Sequence, residues 1–327
     1  EEEQTQNGQS EMTPPPGLEN KKVLSQKDLK EKKAGVYFTG LPLVNYDPDT
    51  GVGYGIRVYS YDNGAKDSPF FAYTPYRHRV YAQFFQTTGG WSYHEVNYDA
   101  PYIFDTLWRI RASLVYERDI NKNFFGLSED QVFTLESPRT GKEYDKIGDY
   151  LDALRDVDGG ETLARYHKYD IERPNFSLTG EYDLMGGLMR FQVGFMLRYV
   201  NIRDYYNREE DYKGNNIKGE DGGDEVDAQQ GETLIHELET SGGLPGYDGG
   251  WDNYLKLGLA YDTRDFEPDP KNGVFADVTI EATGEYTASD YDYVRTTIAP
   301  RYYISPIKSY QDLTIAVRGV YTFLAGD

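Results

Sequence analysis

The sequence predicts an all-β fold, a transmembrane antiparallel β-barrel, and three observations carry that prediction. Apolar residues alternate with polar ones in segment after segment, as in Trp251 to Asp265, where Leu255, Leu257, Leu259 and Tyr261 share one face and Lys256, Gly258, Ala260 and Asp262 the other. About eleven such segments of roughly ten residues occur, the length a tilted strand needs to cross hydrocarbon. The joints are unequal: those near Asp183, Glu267 and Ser305 are short, whereas 120–170 and 204–250 are long, polar and rich in Gly and Asp. Short turns on one rim and long loops on the other are how such barrels are built.

Taken in order, residues 1–33 hold Pro14, Pro15, Pro16 and the stretch KDLKEKK, too few apolar side chains to bury anything. They are expected to be a disordered lead, with at most a short helix near Val23 to Leu29. The barrel is expected over 34–327. Phe38 to Tyr46 forms the first strand and DPDTG the hairpin turn before Val52 to Tyr61, with Tyr54, Ile56 and Val58 on one face. Strands follow at Arg77 to Phe85, Ser92 to Pro101 and Trp108 to Arg118, the last setting Ile110, Ala112, Leu114 and Tyr116 against Arg109, Arg111, Ser113 and Glu117. Phe176 to Leu184 and Met189 to Arg203 are a hairpin. The strand Leu255 to Tyr261 precedes Val274 to Tyr286, Tyr291 to Ile304 and Asp312 to Leu324. If Phe38 starts an upward strand, both long loops follow odd strands and fall on the same, external rim.

Composition sets limits on function. The chain has 31 Tyr, 34 Gly and no Cys, which suits strands, turns and half-wet surfaces and excludes disulfides and thiolate metal sites. A net charge of −21 with no basic stripe argues against nucleic acid as a partner. No run of 18 apolar residues occurs, and a mean hydropathy of −0.72 is no test for a barrel, where only every second residue meets lipid. EEEQTQNGQS has neither the basic start nor the apolar stretch of a secretory signal, so export is inferred from the barrel alone.

The order of several motifs resembles the BamA/TamA-type outer-membrane assembly family, the bacterial surface-antigen barrels. These are YDTRD at 261–265, prolines 268 and 270, NG at 272–273, the run GEYTASDYDYVRTTIAPRYYISP from 284 to 306, and DPDTGVGYG at 47–55. The resemblance implies a sixteen-stranded barrel in the bacterial outer membrane, with YDTRD on the eighth strand, and so a chain that stops before the last strands. The periplasmic domains that usually precede such barrels are not in this sequence. It further implies a role in inserting or translocating other outer-membrane proteins, with outer-membrane lipid and client proteins or accessory lipoproteins as partners. In that family the first strand pairs weakly with the last. Here Phe38, Gly40, Pro42, Val44 and Tyr46 would form this gate strand, Gly40 packing nothing and Pro42 donating no ladder bond. The alternative is a receptor, channel or scaffold barrel that binds partner proteins through its external loops.

Among chemical motifs, Asp262, Arg264 and Asp265 are expected to form a lumen salt-bridge group, Arg264 forking onto a carboxylate across the interior; a structural brace and a part in gating both remain open. The acidic segment 207–227 offers calcium-type oxygens without the spacing of a dedicated calcium loop, and a solvated external loop is the simpler reading. His78, His94, His167 and His236 are scattered, no GxSxG elbow occurs, and neither a catalytic site nor a cofactor or metal is expected. Tyr37, Phe38, Tyr46, Tyr73, Tyr76, Phe104, Trp108, Trp251, Tyr302 and Tyr303 lie near strand ends, where interfacial aromatic girdles belong.

Overall fold

The computed structural model describes residues 14–21, 23–24, 26–48, 50–127, 135–207, 217–218, 225–226, 229–267, 269–307 and 313–326. Its main body is one antiparallel sheet of fourteen segments. They form eleven strands, because the sixth, eighth and eleventh are each in two pieces: β1 (Val36–Asp47), β2 (Gly51–Asp62), β3 (His78–Thr87), β4 (Trp91–Ala100), β5 (Trp108–Asn123), β6 (Lys168–Glu172 and Asn175–Leu184), β7 (Met189–Arg203), β8 (Gly250–Trp251 and Tyr254–Asp262), β9 (Gly273–Ala282), β10 (Tyr293–Ile304) and β11 (Ile315–Arg318 and Tyr321–Gly326). Each pairs with the next, so YDTRD does end the eighth strand. Among the described residues the sheet ends at β1 on one side and β11 on the other.

Register carries one set of side chains around the whole outer surface. Tyr54 lies opposite Gln86, Ile56 opposite Phe84, Val96 opposite Leu114, Val193 opposite Leu257, and Leu257 opposite Ile280. These outward residues remain open, Val44 at 79% and Leu257 at 53%, which is tolerable only against acyl chains. The opposite set, including Arg57, Asp99, Arg109, Glu181, Arg190 and Glu281, turns to the lumen. The wall is curved: Tyr37 of β1 and Phe266, just past β8, line one lumenal cavity.

Three strand boundaries depart from expectation. The segment expected over Val274 to Tyr286 stops at Ala282, because Gly284 at φ 150° opens a tight turn over Glu285–Thr287. The last segment is interrupted at Gly319 and Val320, opposite Ala299 and Pro300, since Pro300 has no N–H to donate. Its register nevertheless runs on, from Arg301 opposite Arg318 to Ile298 opposite Tyr321, with Gly319 N–H donating to the Pro300 carbonyl at 3.0 Å. β5 continues to Asn123, five residues past the expected end, and pairs there with the first piece of β6.

The two rims differ as expected, but the upper one is folded. Helix α2 (Ile147–Arg155) and helix α3 (Leu234–Gly242) lie in the long connections. Tyr150, Leu154, Leu163, Tyr166 and Leu234 pack into a small apolar core above the barrel. His167 closes it, one ring nitrogen 2.7 Å from the Tyr150 hydroxyl and the other 3.1 Å from the Phe124 carbonyl. Most of the acidic segment 207–227 lies outside the described residues, and with it the question of calcium.

The lead corrects the expectation of disorder from Pro14 onward; residues 1–13 lie outside the described set. Leu18 has no exposed surface and sits among Phe70, Tyr102 and Leu107. Helix α1 (Gln26–Glu31) leads to Lys32, whose ammonium donates to the carbonyls of Phe71 and Thr74 at 2.6 Å each. Burial, helped by nearby Arg77, draws that ammonium down to about 8. Two apolar residues, Leu18 and Leu24, among many polar ones suffice because their seats are made by the connections between strands.

The girdle expectation also needs correction. Phe38, Tyr46, Phe104, Trp108, Trp251 and Tyr302 are exposed at strand ends. Tyr73 and Tyr76 are buried in the β2–β3 connection, and Tyr37 turns inward and stacks on Tyr61 at 5.1 Å between ring centres. Tyr303 lies opposite Gly273 and turns inward, as Tyr302 beside it turns outward.

Candidate functional site

Inward positions of β4 to β8 converge on a charge cluster at the lower end of the lumen. Asp99 of β4 takes a two-pronged fork from Arg109 of β5, Nε to Oδ1 at 2.7 Å and Nη2 to Oδ2 at 2.6 Å, and accepts the Tyr76 hydroxyl at 2.8 Å. The other prong of Arg109 donates to Glu267 at 2.6 Å, tying β5 to the turn after β8. Glu181 of β6 lies between Arg111 at 2.6 Å and Arg190 at 3.2 Å. Asp183 holds Arg190 at 3.1 Å, accepts the Tyr102 hydroxyl at 3.0 Å, and has Lys21 of the lead at 3.8 Å.

Of the three residues expected there, two join this cluster. Arg264 forks onto Asp262, its neighbour two residues back, at 2.9 and 2.8 Å, and not onto a carboxylate across the interior. Asp262 is linked to the neighbouring strand by Arg190 of β7, 3.8 Å away. Asp265 stands apart. Its carboxylate accepts the backbone N–H groups of Phe266, Lys271 and Asn272 at 2.9 to 3.0 Å, and it makes no ion pair among the described residues. It shapes the turn because a carboxylate so placed satisfies amides that no ladder can reach.

Sequence reasoning did not single out Asp99, Arg109, Arg111, Glu181, Asp183, Arg190 and Glu267 as a group. Their signal was present as charges at alternate positions, Arg109 and Arg111 on one strand and Arg190 on another, but which ones meet depends on closure of the sheet. The cations Lys21, Arg79, Arg109, Arg111, Arg190 and Arg264 face the anions Asp99, Glu181, Asp183, Asp262 and Glu267, six against five, so the group is nearly neutral. Burial alone would push the Glu267 carboxyl up, but the Arg109 and Arg190 guanidiniums hold it well below the usual range. Charges matched this closely inside a wall brace it.

Beside the cluster a cavity of about 550 Å³ opens between Tyr37, Tyr61, Tyr76, Arg79 and Phe266. The wall of β1 to β3 above it is a tyrosine stack, Tyr37 on Tyr61, Tyr61 on Tyr59 at 5.6 Å, and Tyr59 on Tyr81 at 5.1 Å. The expected gate residues Phe38, Gly40, Pro42, Val44 and Tyr46 all lie on the outward face of β1, opposite Ser60, Val58, Ile56, Tyr54 and Val52. Leu41 and Leu43, between them, face the lumen opposite Arg57 and Gly55. The outer edge of β1 has no partner among the described residues.

An apolar outer stripe, a charge-braced lumen and two dissimilar rims define a membrane-spanning β-barrel wall. The chain belongs to the Omp85 superfamily, whose domain model matches residues 85–327, and it is a protein of the bacterial outer membrane. A second model, described as a domain of unknown function (DUF5982), matches residues 15–77. Among solved structures it is similar to BamA from Haemophilus ducreyi lacking POTRA domains 1–3, at 12% identity and TM-score 0.45, covering 90% of this chain and 42% of that one. It is also similar to OmpT of Vibrio cholerae in its trimer form, at 10% identity and TM-score 0.34, covering 89% of this chain and 81% of that one. The chain thus spans less than half of the BamA structure it matches. No curated protein matches it.

Proposed function

We propose that this protein assists the insertion of other barrel proteins into the outer membrane, without enzymatic chemistry, by offering the edge of β1 to a client strand. The observation that supports the reading is a twelve-residue strand, paired along its whole length to β2, whose other edge carries unpaired backbone groups among the described residues. Such an edge templates an incoming strand through main-chain hydrogen bonds with little demand on sequence. Gly40 and Pro42 at its centre weaken any permanent partner there. Superfamily membership agrees with this role. The test is a disulfide between Thr39→Cys and a cysteine on the closing strand of the full-length protein. The expected result is loss of client insertion on oxidation and recovery on reduction; insertion that persists with the seam locked defeats the reading.

The folded external layer favours a second reading, a receptor or scaffold for partner proteins, because a loop region with its own apolar core holds a fixed surface. Depletion separates the two. Broad loss of outer-membrane proteins supports insertion, and loss of one partner or solute supports a receptor.

A further inference from the structure

The domain of unknown function over 15–77 has no assigned role, and the structure shows what its two ends do. The lead and the β2–β3 connection grip each other around the first hairpin. Leu24 N–H donates to the Ala72 carbonyl at 2.9 Å, Gly35 N–H to Gly64 at 3.0 Å, and Asn63 returns a bond from its own N–H to the Gly35 carbonyl at 3.1 Å. With the two bonds from Lys32 these join the lead to the connection from Gly64 to Thr74.

The front of the lead then reaches the other side of the lower rim. Asn20 N–H donates to the Gly186 carbonyl at 2.8 Å and its side-chain amide to Met185 at 3.2 Å, both in the turn between β6 and β7. That turn is shaped to receive it. A side chain at Gly186 would lie 2.5 Å from Asn20, and one at Gly187 would lie 2.9 Å from Lys21, while both glycines sit at positive φ, 68° and 91°. Leu18 fills the apolar seat between these contacts, and Lys21 reaches Asp183 at the foot of the charge cluster. The seat itself is held in a strained form. Tyr102 and Asp105 both have φ of 57°, and Arg77 fixes them by donating to the Tyr102 carbonyl at 2.8 Å and the Asp105 carboxylate at 2.7 Å. Non-glycine residues keep such angles only where surrounding contacts over-determine them.

We infer that residues 17–21, with 23–24, are a latch: they close the lower mouth of the lumen, tie the first hairpin to the β6–β7 turn, and must leave their seat before the lumen opens to the periplasm. A segment held by two buried leucines, three hydrogen bonds and one long ion pair is easily displaced compared with the eleven-strand wall above it. The inference does not depend on client insertion, because closure is read without any client present.

The test uses the full-length protein in planar bilayers and detergent, with heat-modifiable migration as the check that the barrel is folded. Leu18→Ser with Asn20→Ala empties the seat, and it is expected to raise single-channel conductance several-fold and to expose the lead to protease. If that variant does not fold, Asn20→Ala with Lys21→Met, which leaves Leu18 in place, is expected to give a smaller rise in both readouts. A third variant, Leu18→Cys with Leu107→Cys, is expected to stay closed when oxidised, even with Lys21→Met added, and to respond to that substitution only on reduction. A folded variant whose lead is cleaved but which conducts like the wild type overturns closure. One whose lead stays protected overturns the assigned contacts.

Discussion

The two ends of this barrel solve the same problem with opposite materials. At the upper end the long connections build a small apolar core around Tyr150 and Leu154, which holds itself together by excluding water. At the lower end no connection exceeds the fifteen residues between β2 and β3, the space beside them is lined by strand-borne charges, and order comes from Arg109, Arg190 and Glu267 crossing between strands. Apolar packing tolerates substitution in proportion to the volume lost, whereas a nearly neutral ionic group fails abruptly when one member is removed.

The sharpest way to break the comparison is Arg109→Met. It removes the closer of the two cations that Asp99 and Glu267 share, leaving only Arg111 at 3.7 and 3.8 Å, and about 3–5 kcal/mol of stability is expected to go, because buried carboxylates lose their hydrogen-bonded partner. The midpoint of heat-modifiable migration should fall sharply while protease cleavage of the external layer at moderate temperature stays unchanged. Leu154→Ala is the mirror experiment. About 2–3 kcal/mol is expected to be lost, but only within the external layer, read as faster cleavage between 124 and 167 with the barrel's heat shift unaltered.

Acid should separate the ends as well. His167 is held below its ordinary value by burial, so the unfolded layer binds a proton more readily than the folded one. Its contribution is present above the unfolded value of about 6.5 and is lost as the pH falls from there. Glu267 is held low in the folded state, so the stability it lends persists down to the unfolded carboxylate value, about 4.3, and disappears only below that. Hydrogen exchange followed from pH 7 downward should show the upper layer loosening first. Reversal of that order would sink the assignment. The smallest effect is expected from Arg264→Lys, which keeps the charge and loses the fork onto Asp262, costing about 1 kcal/mol, with a correspondingly slight drop in the heat-shift midpoint.

How much of this was legible depended on the range of the interaction. The wall was readable because period two is written within each segment, as in Leu255, Leu257 and Leu259. The charge cluster was half readable: Arg109 and Arg111 declared an inward face, but nothing local says that Arg109 meets Glu267, 158 positions away. Asp265 looked like a member by proximity to Arg264 and proved to be a turn device, since a carboxylate followed by a proline-rich reversal finds amides before it finds cations. The lead was misread because composition averages over a segment, and Leu18 needs only itself and a seat made by Phe70, Tyr102 and Leu107.

One detail of β1 sets it apart from every neighbour. Leu41 and Leu43 point inward while Val36, Phe38, Val44 and Tyr46 point outward, so oily residues occupy both sides of this strand. In β5 a slip by a single residue would swing Arg109 and Arg111 into the bilayer, an expensive error. In β1 the same slip carries Leu41 and Leu43 outward with Thr39, Asn45 and Asp47 but no arginine, so the penalty is smaller than in β5. This strand, at one margin of the sheet among the described residues, is therefore freer than β5 to shuffle lengthwise.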